Sequence, residues 1–339
     1  MKVRRLKVRH ATHYTYDAPI ERSVHFLHLR PIEDERQRVF NYSLKIQPPG
    51  TLIQYGDVFG NQAAKAEIHG PYTELSVIAE SLVEITDTDP FAFASVPVRR
   101  SFPLRWLPYQ QVMLAPYMQP PELPETQLEE LHNYAMSFAD NCDGDMMETL
   151  FAINLSLFRD YTYKPGTTKL DTTAFEVYTQ REGVCQDFTN LFICLARLLG
   201  FPARYVCGYV YTGNTGPSRA NSDASHAWVE LFIPNVGWKG FDPTNGVLPN
   251  TEHVRLAWGR HYKDATPVKG TIYSPAKETM RIDVEVRDAE HAEKDAPQEN
   301  APAPQTSQAP LNGAASVTAP AQMPLPAIPV PANAASPAG

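Results

Sequence analysis

The spacing of apolar residues changes near Thr126 from a strand period to a helical one, and that change constrains the fold more than any other feature. Before it, short runs such as HATHYTYDAPI, RVFNYSLKI, TLIQYGDVFG, QAAKAEIHG and LSVIAESLVEI are rich in β-branched and aromatic residues. Turn signals separate them at Asp17-Ala18-Pro19, Pro48-Pro49-Gly50 and Gly60-Asn61. Such runs read as strands, and residues 1–95 are expected to form a β-sandwich. Residues 96–124 carry Pro97, Pro103, Pro108, Pro116, Pro120, Pro121 and Pro124. So many prolines exclude a long helix or a central strand, so this stretch reads as a connector packed on a domain surface.

From Thr126 the period is helical. Thr126 with Glu129, Asp145 with Glu148 and Thr173 with Glu176 are three capping patterns, each ahead of an apolar stripe. A fourth helix follows Gly183, with Val184, Phe188, Leu191, Leu195 and Leu198 on one face and Gly200 with Pro202 at its end. ARYVCGYVY, HAWVELFI and GWKGFDP then read as strands. Helices followed by a sheet argue an α+β core over residues 125–286, its helices packed on an antiparallel sheet. Residues 287–339 are dominated by proline and alanine, with no charge after Glu299. They cannot bury enough apolar surface to offset chain entropy and read as a disordered tail. Its Pro324–Pro331 segment, PLPAIPVP, could sit in a partner's polyproline groove; a solvated tail is the plainer reading.

The formal net charge of -8 argues against nucleic acid as a partner. The basic start, MKVRRLKVRH, alternates like an exposed strand and is followed by no apolar leader core. No apolar run is long enough to span a membrane. Cys142, Cys185, Cys194 and Cys207 show no paired spacing, so reduced thiols and a cytoplasmic protein are expected.

The chemistry gathers around Cys185. It stands in the first turn of its helix, where backbone N–H groups lack helical acceptors and the dipole favours a thiolate. Alone, such a cysteine is more often a small buried hydrophobe. Two downstream residues change that reading: His226, at the start of a strand, and Asp242, at the end of the next. If those strands are neighbours, the two side chains meet across the ladder. Cys185 would then attack a carbonyl, His226 would carry the proton, and Asp242 would fix and support the imidazole. The N–H of Cys185 would face the developing oxyanion. Cys185, Cys194, Cys207 and His226 lack the spacing of a zinc site. NCDGDMMETL fails as a calcium loop and reads as a helix–helix turn capped by Asp145. His13, His25 and His28 read as β-sandwich residues. No metal and no cofactor are expected.

GVCQDFTNLFICLARLLGFPARYVCGY followed by ASHAWVELFIPNVGWKGFDPTNG resembles the bacterial transglutaminase-like family. HATHYTYDAPIERSVHFLHLRP is similar to the β-rich domain that precedes its core. The resemblance spans roughly residues 1–280 and implies a papain-like core with Cys185, His226 and Asp242 as its triad. It gives Gln186, Asp187 and Trp228 supporting or substrate-binding roles. His261 stands where relatives carry an acidic residue, which puts carried-over substrate preference in question. The implied activity is thiol-dependent acyl transfer on a peptide or protein amide, read as hydrolysis by a peptidase or amidase. A protein-glutamine transglutaminase and a non-catalytic papain-like scaffold are the alternatives.

Overall fold

The computed structural model describes residues 2–86, 102–166, 171–213 and 225–289. The tail with Pro324–Pro331, the first part of the connector and most of the GNTGPSRANSD loop lie outside the described residues. In chain order the elements are β1 (Val3–Leu27), β2 (Gln37–Gln47), β3 (Thr51–Gly56), β4 (Gln62–Thr86), α1 (Pro108–Leu114), α2 (Glu125–Asn141) and α3 (Met146–Asp160). Then follow β5 (Thr162–Tyr163), α4 (Ala174–Gln180), β6 (Glu182–Gly183), α5 (Cys185–Leu198), β7 (Ala203–Val210), β8 (His226–Ile233) and β9 (Gly237–Phe241). The last are β10 (His253–Gly259), α6 (Tyr262–Ala265), β11 (Val268–Ile272) and β12 (Glu278–Asp288).

The N-terminal region is one hydrogen-bonded sheet bent over on itself. β1 and β4 pair antiparallel along their length, with register shifts between Thr15 and Arg22. Such irregularities let long strands bend. β12 and β2 flank the first half of β1 and its partner stretch of β4, and β11 and β3 flank the second. Tyr14, Leu75 and Val77 from one half share a core with Leu27, Ala66 and Ile68 from the other. Residues 268–288, read from the sequence as the end of the core, therefore return to complete this first sheet.

The second sheet has the order β10-β7-β8-β9. α5 lies against β7 and β8 and is packed by α2, α3 and α4. That explains a departure from the expected single stripe. Phe188, Leu191 and Leu195 are buried, but so are Phe192, Ile193, Cys194 and Ala196. A helix surrounded by partners is apolar nearly all round. The caps at Asp145 and Thr173 form: Asp145 Oδ1 accepts from Met147 and Glu148 N–H, and Glu176 accepts from Thr173 N–H at 2.7 Å. Thr126 is not a cap. α2 starts earlier, behind Pro124, whose fixed extended backbone already sets the helix entry. Leu104 and Trp106 of the connector are buried against the core.

The free edge of β10 would expose unpaired backbone groups. The N-terminal region covers it with two side-chain amides. Gln37 donates to the Arg255 carbonyl (2.8 Å) and accepts from the Arg255 N–H (2.8 Å). Asn61 does the same at Trp258, at 2.7 and 2.9 Å. Arg255 adds a fork onto Asp34 at 2.8 and 2.7 Å. An apolar layer of Leu6, Val8, Val83 and Ile85 against Tyr209, Val254 and Leu256 seals the contact.

His10 and His25 are buried in the first sheet and bonded to Thr12 and Ser23. Burial pushes both rings down to about 4. In the unfolded chain they titrate near 6.5. As pH falls, the unfolded chain takes up protons first. Their stabilisation is complete above about pH 6.5 and is lost towards pH 4, up to about 3 kcal/mol each. The urea midpoint is expected to fall between pH 7 and pH 4.5, and to fall less steeply in a His10→Gln/His25→Gln variant. The same slope in both proteins would contradict this account.

Candidate active site

The approach to Cys185 is a tight turn. Arg181 ends α4 in the left-handed region (φ 57). Its guanidinium lies over the rings of Tyr134, Tyr161 and Tyr178 at 5.1, 4.7 and 4.9 Å and donates to the Tyr161 hydroxyl at 2.7 Å. β6 follows and pairs in parallel with β5. Val184 is extended, and its N–H is bound at 2.8 Å by the Asp187 carboxylate. The N–H groups of Asp187 and Phe188 both donate to the Val184 carbonyl. Those of Cys185 and Gln186, the first in the helix, have no acceptor within it. Cys185 is the first residue of α5 and is half-buried.

β8 and β9 are antiparallel neighbours, in register at Val229 and Phe241. His226 opens β8 and Asp242 follows β9, so the two side chains meet on one face. His226 Nε2 and Asp242 Oδ2 are 2.8 Å apart, with 3% and 0% of the residues exposed. The Asp-Pro-Thr-Asn-Gly turn explains how Asp242 is held. Its Oδ1 accepts from the backbone N–H groups of Thr244 (3.0 Å) and Asn245 (3.2 Å), a side-chain turn that aspartate makes readily. Gly246 closes the turn at φ 68, and a Cβ there would meet the Phe158 ring at 2.8 Å. Oδ2 also accepts from Asn245 Nδ2 (2.7 Å) and lies 3.2 Å from His253 Nε2.

Burial lowers the His226 pKa, but the Asp242 charge and hydrogen bond, with a smaller contribution from Cys185, raise it well above the ordinary imidazole value. Burial works to raise the Asp242 pKa, and His226 with His253 hold it well below the carboxylate range. With Nε2 committed to Asp242, Nδ1 is the ring nitrogen available to the Cys185 thiol. Tyr163 of β5 also feels the thiol: burial first, then Cys185 and Asp187, push it up to about 12. The site thus combines a thiol at a helix N-terminus, an imidazole beside it and a buried carboxylate behind the imidazole. That set can pass a proton from sulfur to nitrogen and on to a leaving group.

Trp228 is fully buried, with its ring 6.0 Å from that of His226 and 5.3 Å from that of His253. It can support the two imidazoles but presents no surface to a substrate. Asp187 is buried as the cap of α5, and Gln186 is half-buried in the same turn. His261 is exposed at the start of α6. It lines a cleft of about 530 Å³ with Arg260, Lys263 and the Asn190, Ile193 and Arg197 face of α5; Cys185, His226 and Asp242 do not line it. Partial burial of the ring lowers the His261 pKa; the Asp264 charge opposes this, and the nearby Arg260, Arg197 and Lys263 add to it. His13, His25 and His28 bond separately to Ser76, Ser23 and the Thr266 carbonyl. No group of three His, Cys, Asp or Glu suited to a metal occurs among the described residues. Nor is any helix there long and apolar enough to cross a membrane.

Sequence reasoning missed His253, Asn245 and Tyr163. HVRLAWG carried the same signal that drew attention to HAWVELFI: a histidine opening an apolar strand.

Residues 6–84 match the bacterial transglutaminase-like N-terminal region, and residues 133–243 match the transglutaminase-like superfamily. Uncharacterized proteins of Mycobacterium tuberculosis and Mycobacterium bovis are 31% identical over 293 residues, covering 83% of this chain and 91% of theirs. A protein-glutamine gamma-glutamyltransferase of Pseudomonas aeruginosa is 34% identical over 93 residues, 26% of this chain and 14% of that protein. The solved structure of a candidate cysteine protease from Cytophaga hutchinsonii shares the fold, with a TM-score of 0.68 and 22% identity over 85% of this chain and 92% of that one. The match of both regions, in this order, with relatives aligned along most of their length, shows that the chain belongs to the bacterial transglutaminase-like family.

Proposed function

We propose that the protein is a cysteine-dependent acyl-transfer enzyme acting on amide bonds, of a peptide or a glutamine side chain. The observation that carries this reading is the buried 2.8 Å contact of His226 with Asp242, placed beside a cysteine that opens α5. Cys185 Sγ attacks the amide carbonyl while His226 Nδ1 takes the thiol proton. Asp242 holds the ring and balances its positive charge. The Cys185 and Gln186 N–H groups are the donors nearest to the developing oxyanion. The tetrahedral intermediate breaks its C–N bond, and His226 gives the proton to the departing amine. A thioester to Cys185 remains. Water, deprotonated by His226, then attacks it, releasing the acid and restoring the thiol.

An amine could replace water in the second half, and the 93-residue match to a protein-glutamine gamma-glutamyltransferase favours that as the second reading. The acceptor decides between them, and one experiment reads it. Incubation with a library of peptides and glutamine amides, with and without a primary amine, is followed by mass detection of both product types. Hydrolysed products are expected as the main signal; amine-joined products in excess would establish the second reading.

Cys185→Ala is expected to abolish turnover while the circular dichroism spectrum is unchanged. Retained hydrolysis in the folded variant would rule out the mechanism. Asp242→Asn keeps the shape but removes the charge behind His226. Its kcat is expected to fall by roughly 10³-fold or more with little change in KM, as for other triads that lose their carboxylate. A fall of less than about tenfold would remove Asp242 from the mechanism.

A further inference from the structure

Asp242 serves two histidines, and the triad accounts for only one. His253 opens β10 and is 5% exposed. Its Nδ1 accepts the backbone N–H of Asn250 at 3.3 Å. An acceptor nitrogen carries no proton, so in the neutral ring the hydrogen sits on Nε2. That nitrogen lies 3.2 Å from Asp242 Oδ2, the same oxygen that faces His226. The two imidazoles are held by one indole: Trp228 stands edge-on to His253 and tilted against His226. Gly208 makes this packing fit, because a Cβ there would meet the Trp228 ring at 2.6 Å.

We infer that His253 is a positioning residue: it donates its Nε2–H to Asp242 Oδ2 and so limits how tightly that oxygen holds the proton of His226. This rests on the acyl-transfer reading above and extends it. A hydrogen bond to a carboxylate disperses the charge it offers to a second partner. The dispersal matters because His226 must give its proton to the leaving amine. An imidazolium held too tightly by a fully buried aspartate is a poor acid near neutral pH. Three of the charged groups near His253, Glu230, Arg255 and Glu252, are engaged with other partners. A cavity of about 60 Å³ next to it is lined by Arg36, Glu230, Lys239 and Arg255. Glu230 is bonded to Arg204 at 2.8 Å, and Arg255 to Asp34. On its own strand side, Glu252 pairs with Arg4. Asp242 and His226 are the only titratable partners in direct ring contact or hydrogen bonding with His253 among the described residues.

The test is histidine-selective NMR on the full chain, which needs no substrate. In the wild type the His253 hydrogen is expected on Nε2, with Nδ1 left as the acceptor of the Asn250 N–H; a proton on Nδ1 would overturn the inference. The titration of His226 is then followed in three proteins. His253→Phe keeps a ring against Trp228 but has no donor, and His253→Gln restores an N–H. The His226 midpoint is expected to rise in His253→Phe by about half a pH unit or more, a threefold change in proton affinity. His253→Gln is expected to return it to the wild-type value. Packing alone would not produce that pattern. Coincident midpoints in the wild type and His253→Phe, or a His253→Gln protein that behaves like His253→Phe, would overturn the inference. If His253→Phe does not fold, His253→Leu supplies the donor-free ring-less comparison. An inactive wild type with these titrations intact would instead count against the acyl-transfer reading.

Discussion

The structure of the site depends on one carboxylate. Asp242 is fully buried and accepts from five donors: His226, His253, the Asn245 side chain, and the backbone N–H groups of Thr244 and Asn245. Burying a charge costs several kcal/mol unless it is paired and bonded, and here every direction around the carboxylate is answered. The consequences run outward. A buried anion next to His226 makes a cation of that ring favourable, although burial alone would oppose it. A cationic imidazole beside Cys185 in turn favours sulfur as a nucleophile. The backbone is arranged for the same end, since the turn after β9 spends two N–H groups on Asp242 alone.

The second dependence is of the site on the N-terminal sheet. β10 carries His253 at its start and lies at the edge of the core sheet. Gln37 and Asn61 occupy that edge as a neighbouring strand would, matching one donor and one acceptor each. Side-chain amides satisfy the edge and also end it, because no further strand can be added at those positions. The N-terminal region is thus joined to the element that holds the second histidine. β11 and β12 then carry the chain back into the first sheet. Neither region closes its hydrogen-bonding without the other.

Much of this was legible because local chemistry and order agreed. Cys185 after Gly183, His226 opening HAWVELFI and Asp242 in FDPTNG each sit where a turn or helix start requires particular residues. Consecutive strands usually pair, so the meeting of His226 and Asp242 followed from two short runs in a row. The contribution of His253 did not follow. β10 lies beside β7, not beside β9, and nothing local in HVRLAWG states that order. The return of β11 and β12 to β1 was hidden for the same reason: long-range pairing leaves no trace in local spacing. The all-round burial of α5 reads as a stripe in sequence because Cys194, Ala196 and Ile193 fill the remaining faces with small or apolar groups. Thr126 looked like a cap because its spacing to Glu129 fits. Pro124 takes the position instead, through backbone geometry rather than a side-chain bond.

In the proposed mechanism the Asp242–His226 pair is what makes Cys185 a reactive nucleophile. The chain contains its own controls. Cys194 and Cys207 are buried, and burial pushes both thiols up to about 12; Cys142 is half-buried in a helix–helix turn. Site-resolved alkylation by iodoacetamide at pH 6, read by peptide mass mapping, compares all four in one tube. The account predicts that Cys185 is labelled at least about 100-fold faster than the other three, and that Asp242→Asn removes most of that lead. Equal labelling of Cys185 and Cys142, unchanged by Asp242→Asn, would contradict it.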